Sequence, residues 1–112
     1  MPFSTLHFFE DDPDVRSAWT RGTDTIIVKD YGSSPDGWVS RGFNDESDCR
    51  YAVLHWWSKY QLEPDEDPHG YVAGEQVHYY TVEEMQDQFA DLVNAAGEVD
   101  PDVDPFELLI LL

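Results

Sequence analysis

The chain has 112 residues and carries 24 Asp and Glu against six Lys and Arg, which gives a formal net charge of −18. Self-repulsion of this size opposes a compact fold, so the acidity calls for a functional or environmental explanation. Disorder is disfavoured, because acidic disordered segments are poor in aromatic residues and this sequence has four Trp, six Tyr and six Phe. The length predicts one domain, over residues 1–112.

The cysteine count and the N-terminal residues indicate the cellular location. Cys49 is the single cysteine, which excludes an intramolecular disulfide and is typical of a reducing compartment. The first twelve residues lack a basic start and a long apolar run, so we expect no signal peptide. Residues 108–112 are too short to span a bilayer. We therefore expect a cytoplasmic protein of a host cell, encoded by the host or by a phage, with no membrane partner.

The first two elements are predicted from alternation and from a helix-start pattern. Phe3 to Phe9 alternates as a strand. Asp12-Pro13-Asp14 is typical of a helix start, with a capping carboxylate and proline at the first helical position. The apolar spacing that follows predicts a helix that ends at Gly22.

The central part predicts a hairpin and the longest helix. Thr25 to Tyr31 is rich in β-branched residues and predicts a strand. A turn at 32–37 and a second strand over Trp38–Phe43 complete a hairpin. Residues 45–60 keep apolar side chains at helical spacing and predict a helix.

The C-terminal part predicts a loop at 62–74, a strand over Gln76–Tyr80 and a helix over 81–96. Thr81-Val-Glu-Glu84 is a capping-box pattern for that helix. Residues 106–112 are apolar and predict a short helix or strand that docks on the core. The resulting order, β-α-β-β-α-β-α, predicts a small α+β sandwich, with the ferredoxin-like split β-α-β as one candidate topology.

Metal and catalytic sites are not indicated. Residues 65–70 resemble the start of a calcium loop, but His69 and Pro68 occupy unsuitable positions, and Gln76 replaces the bidentate glutamate. The four histidines and Cys49 have no ligand spacing, and no nucleophile motif is present. We therefore expect no metal, no cofactor and no enzymatic activity.

The placement of the acids supports a binding role. All six basic residues precede residue 60, whereas the last 53 residues carry 14 acids and no Lys or Arg. Glu83, Asp87 and Asp91 recur every four residues and predict an acidic stripe along one helix face. If the net charge is spread evenly over the surface, its density is about one third of the charge density of DNA. Mimicry of a nucleic acid therefore requires the acids to lie on one face. The predicted binding carboxylates are Glu63, Asp65, Glu66, Asp67, Glu83, Glu84, Asp87 and Asp91.

An apolar complement is predicted on the helix over 45–60. Tyr51 and Leu54 lie away from its buried stripe, and Trp57 lies at the edge of that stripe. Trp and Tyr are enriched at binding hot spots. We therefore expect these three side chains to contribute to a partner-binding surface.

The leading hypothesis is a non-catalytic inhibitor that occupies a basic nucleic-acid-binding surface of a target protein. The composition resembles that of small acidic inhibitors, such as phage anti-defence proteins (anti-CRISPR, anti-restriction) and nuclease immunity proteins. The expected partner is a Cas effector, a restriction enzyme or a nuclease, and the protein itself should not bind nucleic acid. A salt-adapted domain of unknown task is the alternative, and a small enzyme ranks third. The sequence leaves the oligomeric state open, a dimer included.

Overall fold

A five-stranded antiparallel sheet organises the chain in the computed structural model, which describes residues 2–32 and 50–107. The strands follow chain order across the sheet. They are β1 (Phe3–Ser4), β2 (Val15–Arg21), β3 (Asp24–Asp30), β4 (Tyr51–Ser58) and β5 (Val72–Tyr80). One α-helix, α1 (Val82–Gln88), follows β5, and 3₁₀ turns occupy Leu6–Phe9, Pro68–Tyr71 and Pro105–Glu107. The α+β class is confirmed, and the ferredoxin-like topology is not.

The predicted helix after Asp12 is wrong, because those residues form a turn and strand β2. The Asp12 carboxylate accepts a hydrogen bond from the Asp14 amide at 3.1 Å, and the Val15 amide donates to the Asp12 carbonyl at 3.2 Å. An aspartate can cap a turn in the same way that it caps a helix. Gly22 has a φ of 62° and begins the two-residue β2–β3 hairpin loop, where a left-handed conformation is required.

The predicted helix over 45–60 is also wrong for the described part, where Tyr51–Ser58 is the strand β4. β4 lies between β3 and β5, and its first four residues are buried on both faces of the sheet. A strand that is covered on both faces has a continuous run of apolar residues in its sequence. The spacing of apolar residues does not distinguish such a strand from a buried helix. The predicted strand over Trp38–Phe43 lies outside the described residues.

Other predicted elements are confirmed in type but differ in length. β3 agrees with the predicted strand to within one residue at each end, and β5 begins four residues before the predicted Gln76. The first strand is limited to Phe3–Ser4, because the chain then turns into a 3₁₀ helix. α1 begins where predicted but ends at Gln88 instead of Ala96. Of the predicted C-terminal element, residues 108–112 lie outside the described part.

Each face of the sheet is covered by a separate hydrophobic layer. On the first, which we term face A, Ile26, Val28, Tyr51 and Val53 pack against side chains from α1 and the chain after it. On the second, face B, the buried residues are Phe9, Val15, Ala18, Ile27, Ala52 and Leu54. The Phe9 ring lies 4.5 Å from the His69 ring, so both early 3₁₀ turns cover face B. No helix in the described ranges is long and apolar enough to cross a membrane.

Candidate acidic interface

The two predicted groups of carboxylates lie at opposite ends of β5. The acidic loop, which comprises Glu63, Asp65, Glu66 and Asp67, precedes the 3₁₀ turn that leads into β5, whereas α1 follows the last residue of β5. A nine-residue strand is about 26 Å long at ~3.3 Å per residue. The loop also leads onto face B through His69, whereas α1 covers face A. These acids therefore do not form one continuous surface.

The predicted stripe of three acids is shortened by the early end of α1. Glu83 and Asp87 share a helix face, but Asp91 follows Phe89, whose φ of −131° ends the helix. Glu84 has a structural role, because its side chain accepts from the Thr81 amide at 3.0 Å while Thr81 Oγ1 accepts from the Glu84 amide at 3.1 Å. The predicted capping box is thus confirmed, and Glu84 is a cap as well as a surface charge.

Acids that the sequence analysis left out join this surface through a reverse turn. Val93 and Val99 form an isolated β-bridge, and the Asp100 amide donates to the Leu92 carbonyl at 2.8 Å. This pairing brings Asp91, Glu98 and Asp100 around one depression of about 300 Å³. In the sequence, the available signal was the alternation of acids at Asp100, Asp102 and Asp104. We term the resulting set the acidic layer: Glu83, Glu84, Asp87, Asp91, Glu98, Asp100, Asp102 and Asp104.

Local counter-ions for the acidic layer are few. Residues 82–107 contain no Lys, Arg or His. Arg50 lies beside Glu98, but its guanidinium forms two hydrogen bonds to Asp30, at 2.7 and 3.0 Å, which raise the pKa of Arg50 above its ordinary value. Arg21 stacks on the Phe106 ring, 4.6 Å from its centroid. Among the described residues, no ion pair reaches Glu83, Asp87 or Asp91.

Eight of the 24 acids of the chain belong to the acidic layer. The elements that carry them pack on face A through Met85, Leu92 and Val99. A third of the acids is therefore concentrated on one side of the sheet, within residues 83–104.

The expected apolar complement is mostly buried, which corrects the prediction. Tyr51 is fully buried, with its hydroxyl donating to the Gly97 carbonyl, and Leu54 is 8% exposed. Both belong to the core because β4 lies between β3 and β5 and its first four residues are covered on both faces. Trp57 is 40% exposed, but its indole lies across Gly74 on the neighbouring strand β5. Of the three predicted side chains, Trp57 alone is accessible to a partner.

Replacing Gly74 by alanine is expected to lower the free energy of unfolding by about 1 kcal/mol and to shift Trp57 fluorescence toward that of a solvated indole. A Cβ at Gly74 would overlap the Trp57 ring, and overpacking of this kind costs roughly 1–3 kcal/mol. We expect the lower end of this energy range because the Trp57 ring is partly exposed and can rotate toward solvent. Gly70→Ala is the control, since a Cβ there meets nothing within 4 Å. Equal effects of the two substitutions would contradict the stacked geometry.

The acidic loop is ordered by its own hydrogen bonds. Asp67 Oδ1 accepts from the His69 backbone amide at 2.9 Å and pairs with the His69 ring at 2.6 Å. Partial burial alone would raise the pKa of Asp67, but these hydrogen bonds and the nearby histidines outweigh it and hold the pKa below its ordinary value. Within residues 2–32 and 50–107, no group of His, Cys, Asp and Glu is arranged to hold a metal ion.

Comparison with protein-family models, with curated proteins and with solved structures finds no match to this chain. The fold and the site nevertheless define a structural class. It is a small α+β protein whose antiparallel sheet bears a dense acidic layer on one face and an ordered acidic loop beyond one end.

Proposed function

We propose that this protein is a non-catalytic inhibitor that occupies a basic nucleic-acid-binding groove of a target protein through its acidic layer. The observation that carries the proposal is the set of eight carboxylates over face A, in a segment without a basic residue. A Cas effector, a restriction enzyme or a nuclease supplies a groove of the matching charge. Such a role places the protein in the cytoplasm of the cell that contains its target.

The mechanism of binding is electrostatic mimicry of phosphates. Arg and Lys side chains that contact a nucleic-acid backbone would meet Asp87, Asp91 and Glu98 instead. Complementary charge accelerates association more than it strengthens the final complex, and exposed charges more than roughly 8 Å apart are screened at physiological salt. Target binding should therefore weaken as salt rises, and the protein itself should not retain DNA.

The test is a quadruple neutralisation of the acidic layer: Glu83→Gln, Asp87→Asn, Asp91→Asn and Glu98→Gln. We expect target affinity to fall about a hundredfold, or ~2.7 kcal/mol, which is within the range of four exposed ion pairs at 0.2–1 kcal/mol each. Stability should hold or rise slightly, because like-charge repulsion between Glu83 and Asp87 is relieved. Affinity capture from the native host identifies the target, and titration calorimetry measures the affinity.

The matched control removes four charges elsewhere: Glu10→Gln, Glu63→Gln, Asp65→Asn and Glu66→Gln. Its overall charge equals that of the test variant, so long-range attraction changes by a similar amount. We expect this control to bind within about threefold of the parent protein. A control that loses as much affinity as the test variant would contradict a localised site.

A salt-adapted surface is the second candidate, favoured by the presence of acids on both faces of the sheet. Glu10, Asp11, Asp12 and the acidic loop lie with the turns that cover face B, away from the acidic layer. This candidate predicts unfolding at low ionic strength, where self-repulsion is least screened. Circular dichroism at about 10 mM and 1 M salt separates the two. An unchanged spectrum at low salt supports the inhibitor, and loss of structure supports salt adaptation.

A further inference from the structure

A reverse turn over residues 94–97 connects the parts of the chain that carry the later acids of the acidic layer. The Gly97 amide donates to the Asn94 carbonyl at 3.0 Å, and Gly97 has a φ of 84°. The Asn94 amide also donates to the Glu98 carbonyl at 3.0 Å. The conformation of this turn therefore determines where Glu98 lies relative to the chain that precedes the turn.

The side chain of Asn94 closes the turn from within. Its Oδ1 accepts hydrogen bonds from the backbone amides of Ala96 and Glu98, at 2.9 and 3.0 Å. An asparagine side chain that accepts from the amide two positions later holds the backbone in a turn. The turn is thus closed by a side chain as well as by the backbone.

Gln86 connects α1 to the same turn. Its side-chain nitrogen, Nε2, donates to the carbonyl oxygens of Asn94 and Ala95, each at 3.2 Å. Gln86 lies between Glu83 and Asp87 in the sequence of α1. A neutral side chain therefore ties the helix that carries two acids of the layer to the turn that places the others.

The sheet holds the turn from the opposite side. The hydroxyl of Tyr51, which is fully buried on β4, donates to the Gly97 carbonyl. A Cβ at Gly97 would lie 2.9 Å from that hydroxyl and 2.9 Å from Nη1 of Arg50, so the turn packs closely against the sheet. Held by Gln86 on one side and by Tyr51 on the other, the turn keeps a fixed position relative to α1.

We propose that Gln86 is a positioning residue that fixes the carboxylates on α1 relative to those beside the turn, so that the acidic layer recognises cations on a rigid element of the target. This inference rests on the proposed function, because it takes the target to be cationic. Two rigid arrays of charge lose little conformational freedom when they bind each other. A flexible basic tail loses that freedom on binding and adapts to any arrangement of carboxylates, so Gln86 would not affect its affinity.

The first test measures the turn without a partner. Gln86→Met keeps the helix propensity and the net charge but removes both donors. We expect hydrogen exchange of the Ala96, Gly97 and Glu98 amides to become about tenfold faster, because two hydrogen bonds no longer oppose opening of the turn. Gln88→Met is the matched control, since Gln88 is exposed and, within the described chain, forms no side-chain hydrogen bond. Unchanged exchange in Gln86→Met would overturn the positioning role.

The second test uses two cationic peptides of equal charge. The rigid peptide is a stapled α-helix with four arginines at every fourth position, which places cations about 6 Å apart, the same spacing as Glu83 and Asp87 on α1. The flexible peptide carries four arginines separated by glycine and serine. We expect the parent protein to bind the rigid peptide at least tenfold more tightly. Equal affinities would overturn the assignment of a rigid partner.

The kinetics of the rigid peptide test the role of Gln86 in binding. In Gln86→Met this peptide should dissociate about tenfold faster, whereas its association rate should change less than about twofold, because the net charge that steers association is unchanged. Binding of the flexible peptide should be unaffected, as should binding of the rigid peptide to Gln88→Met. A residue that only stabilises the fold would leave both peptides unaffected while circular dichroism shows a folded protein, and that result would overturn the inference.

A second pair of variants tests the turn at Asn94. Asn94→Ala removes the acceptor of both amide hydrogen bonds, whereas Asn94→Asp keeps an oxygen that can accept them. We expect Asn94→Ala to accelerate dissociation of the rigid peptide as Gln86→Met does. Asn94→Asp should keep the exchange rates of the Ala96 and Glu98 amides close to those of the parent protein. If both variants release the rigid peptide equally fast, closure of the turn does not position the acids and the inference is wrong.

Failure of this inference can be told apart from failure of the proposed function. The proposed function requires the quadruple neutralised variant to lose binding of both peptides. If that variant binds them as the parent protein does, the acidic layer is not the cation-binding surface, and the proposed function fails together with this inference. If it loses both peptides while Gln86→Met keeps parental kinetics with the rigid peptide, the proposed function stands and only this inference fails.

Discussion

Leu92→Ala is expected to lower the free energy of unfolding by about 3 kcal/mol. Leu92 is fully buried and belongs to the cluster on face A that includes Met85 and Phe89. Truncation of a buried leucine removes its transfer free energy and leaves a cavity, which together cost roughly 2–5 kcal/mol. The backbone carbonyl of Leu92 also accepts a hydrogen bond from the Asp100 amide, within the turn that carries Asp91 and Asp100. Urea unfolding followed by Trp fluorescence measures the loss.

Leu6→Ala is the matched control for that truncation. Leu6 is only partly buried and packs at the margin of the face B cluster, so its truncation should cost about 1 kcal/mol. In the Leu92 variant, hydrogen exchange should also rise first in residues 82–100. An equal loss from the two substitutions would mean that the layer over face A contributes no more to stability than a surface contact.

Asp30→Ala is expected to destabilise the protein by about 3 kcal/mol. Asp30 is 7% exposed, and its two carboxylate oxygens accept from Arg50 at 2.7 and 3.0 Å, with a further bond from the Gly32 amide at 2.9 Å. Removing one partner of a largely buried pair leaves the other charge without compensation, which costs roughly 3–5 kcal/mol. We expect the lower end of this energy range because the Arg50 side chain is still 14% exposed to solvent.

Asp24→Ala provides the comparison on the same strand. Asp24 pairs with the His55 ring at 2.9 Å, but its side chain is 40% exposed. Exposed pairs contribute roughly 0–1 kcal/mol. Thermal or urea unfolding of both variants should therefore give a difference of about 2 kcal/mol. A loss at Asp24 equal to that at Asp30 would show that burial does not set the strength of these pairs.

Local chemistry determined the elements that the sequence analysis described correctly. The capping box at Thr81 depends on residues three positions apart, and both of its hydrogen bonds are formed. The β-branched centre of β3, Ile26-Ile27-Val28, favours a strand in any context. The loop before β5 is set by its Pro, Gly and acidic residues. In each case, interactions between residues a few positions apart favour one local conformation over the others. Such interactions can be predicted from the sequence.

Tertiary packing decided the rest. Tyr51 to Leu54 form a strand because hydrogen-bonding neighbours lie on both sides and apolar layers cover both faces, and neither condition is encoded in local spacing. Asp12 caps a turn because the Gly22 hairpin brings β2 against β3. Likewise, net charge followed from composition, but its division between two faces did not. The reverse turn through Asn94 and Gly97 set that division by joining Asp91 to Glu98 and Asp100, since only contacts distant in sequence place charges on a common surface.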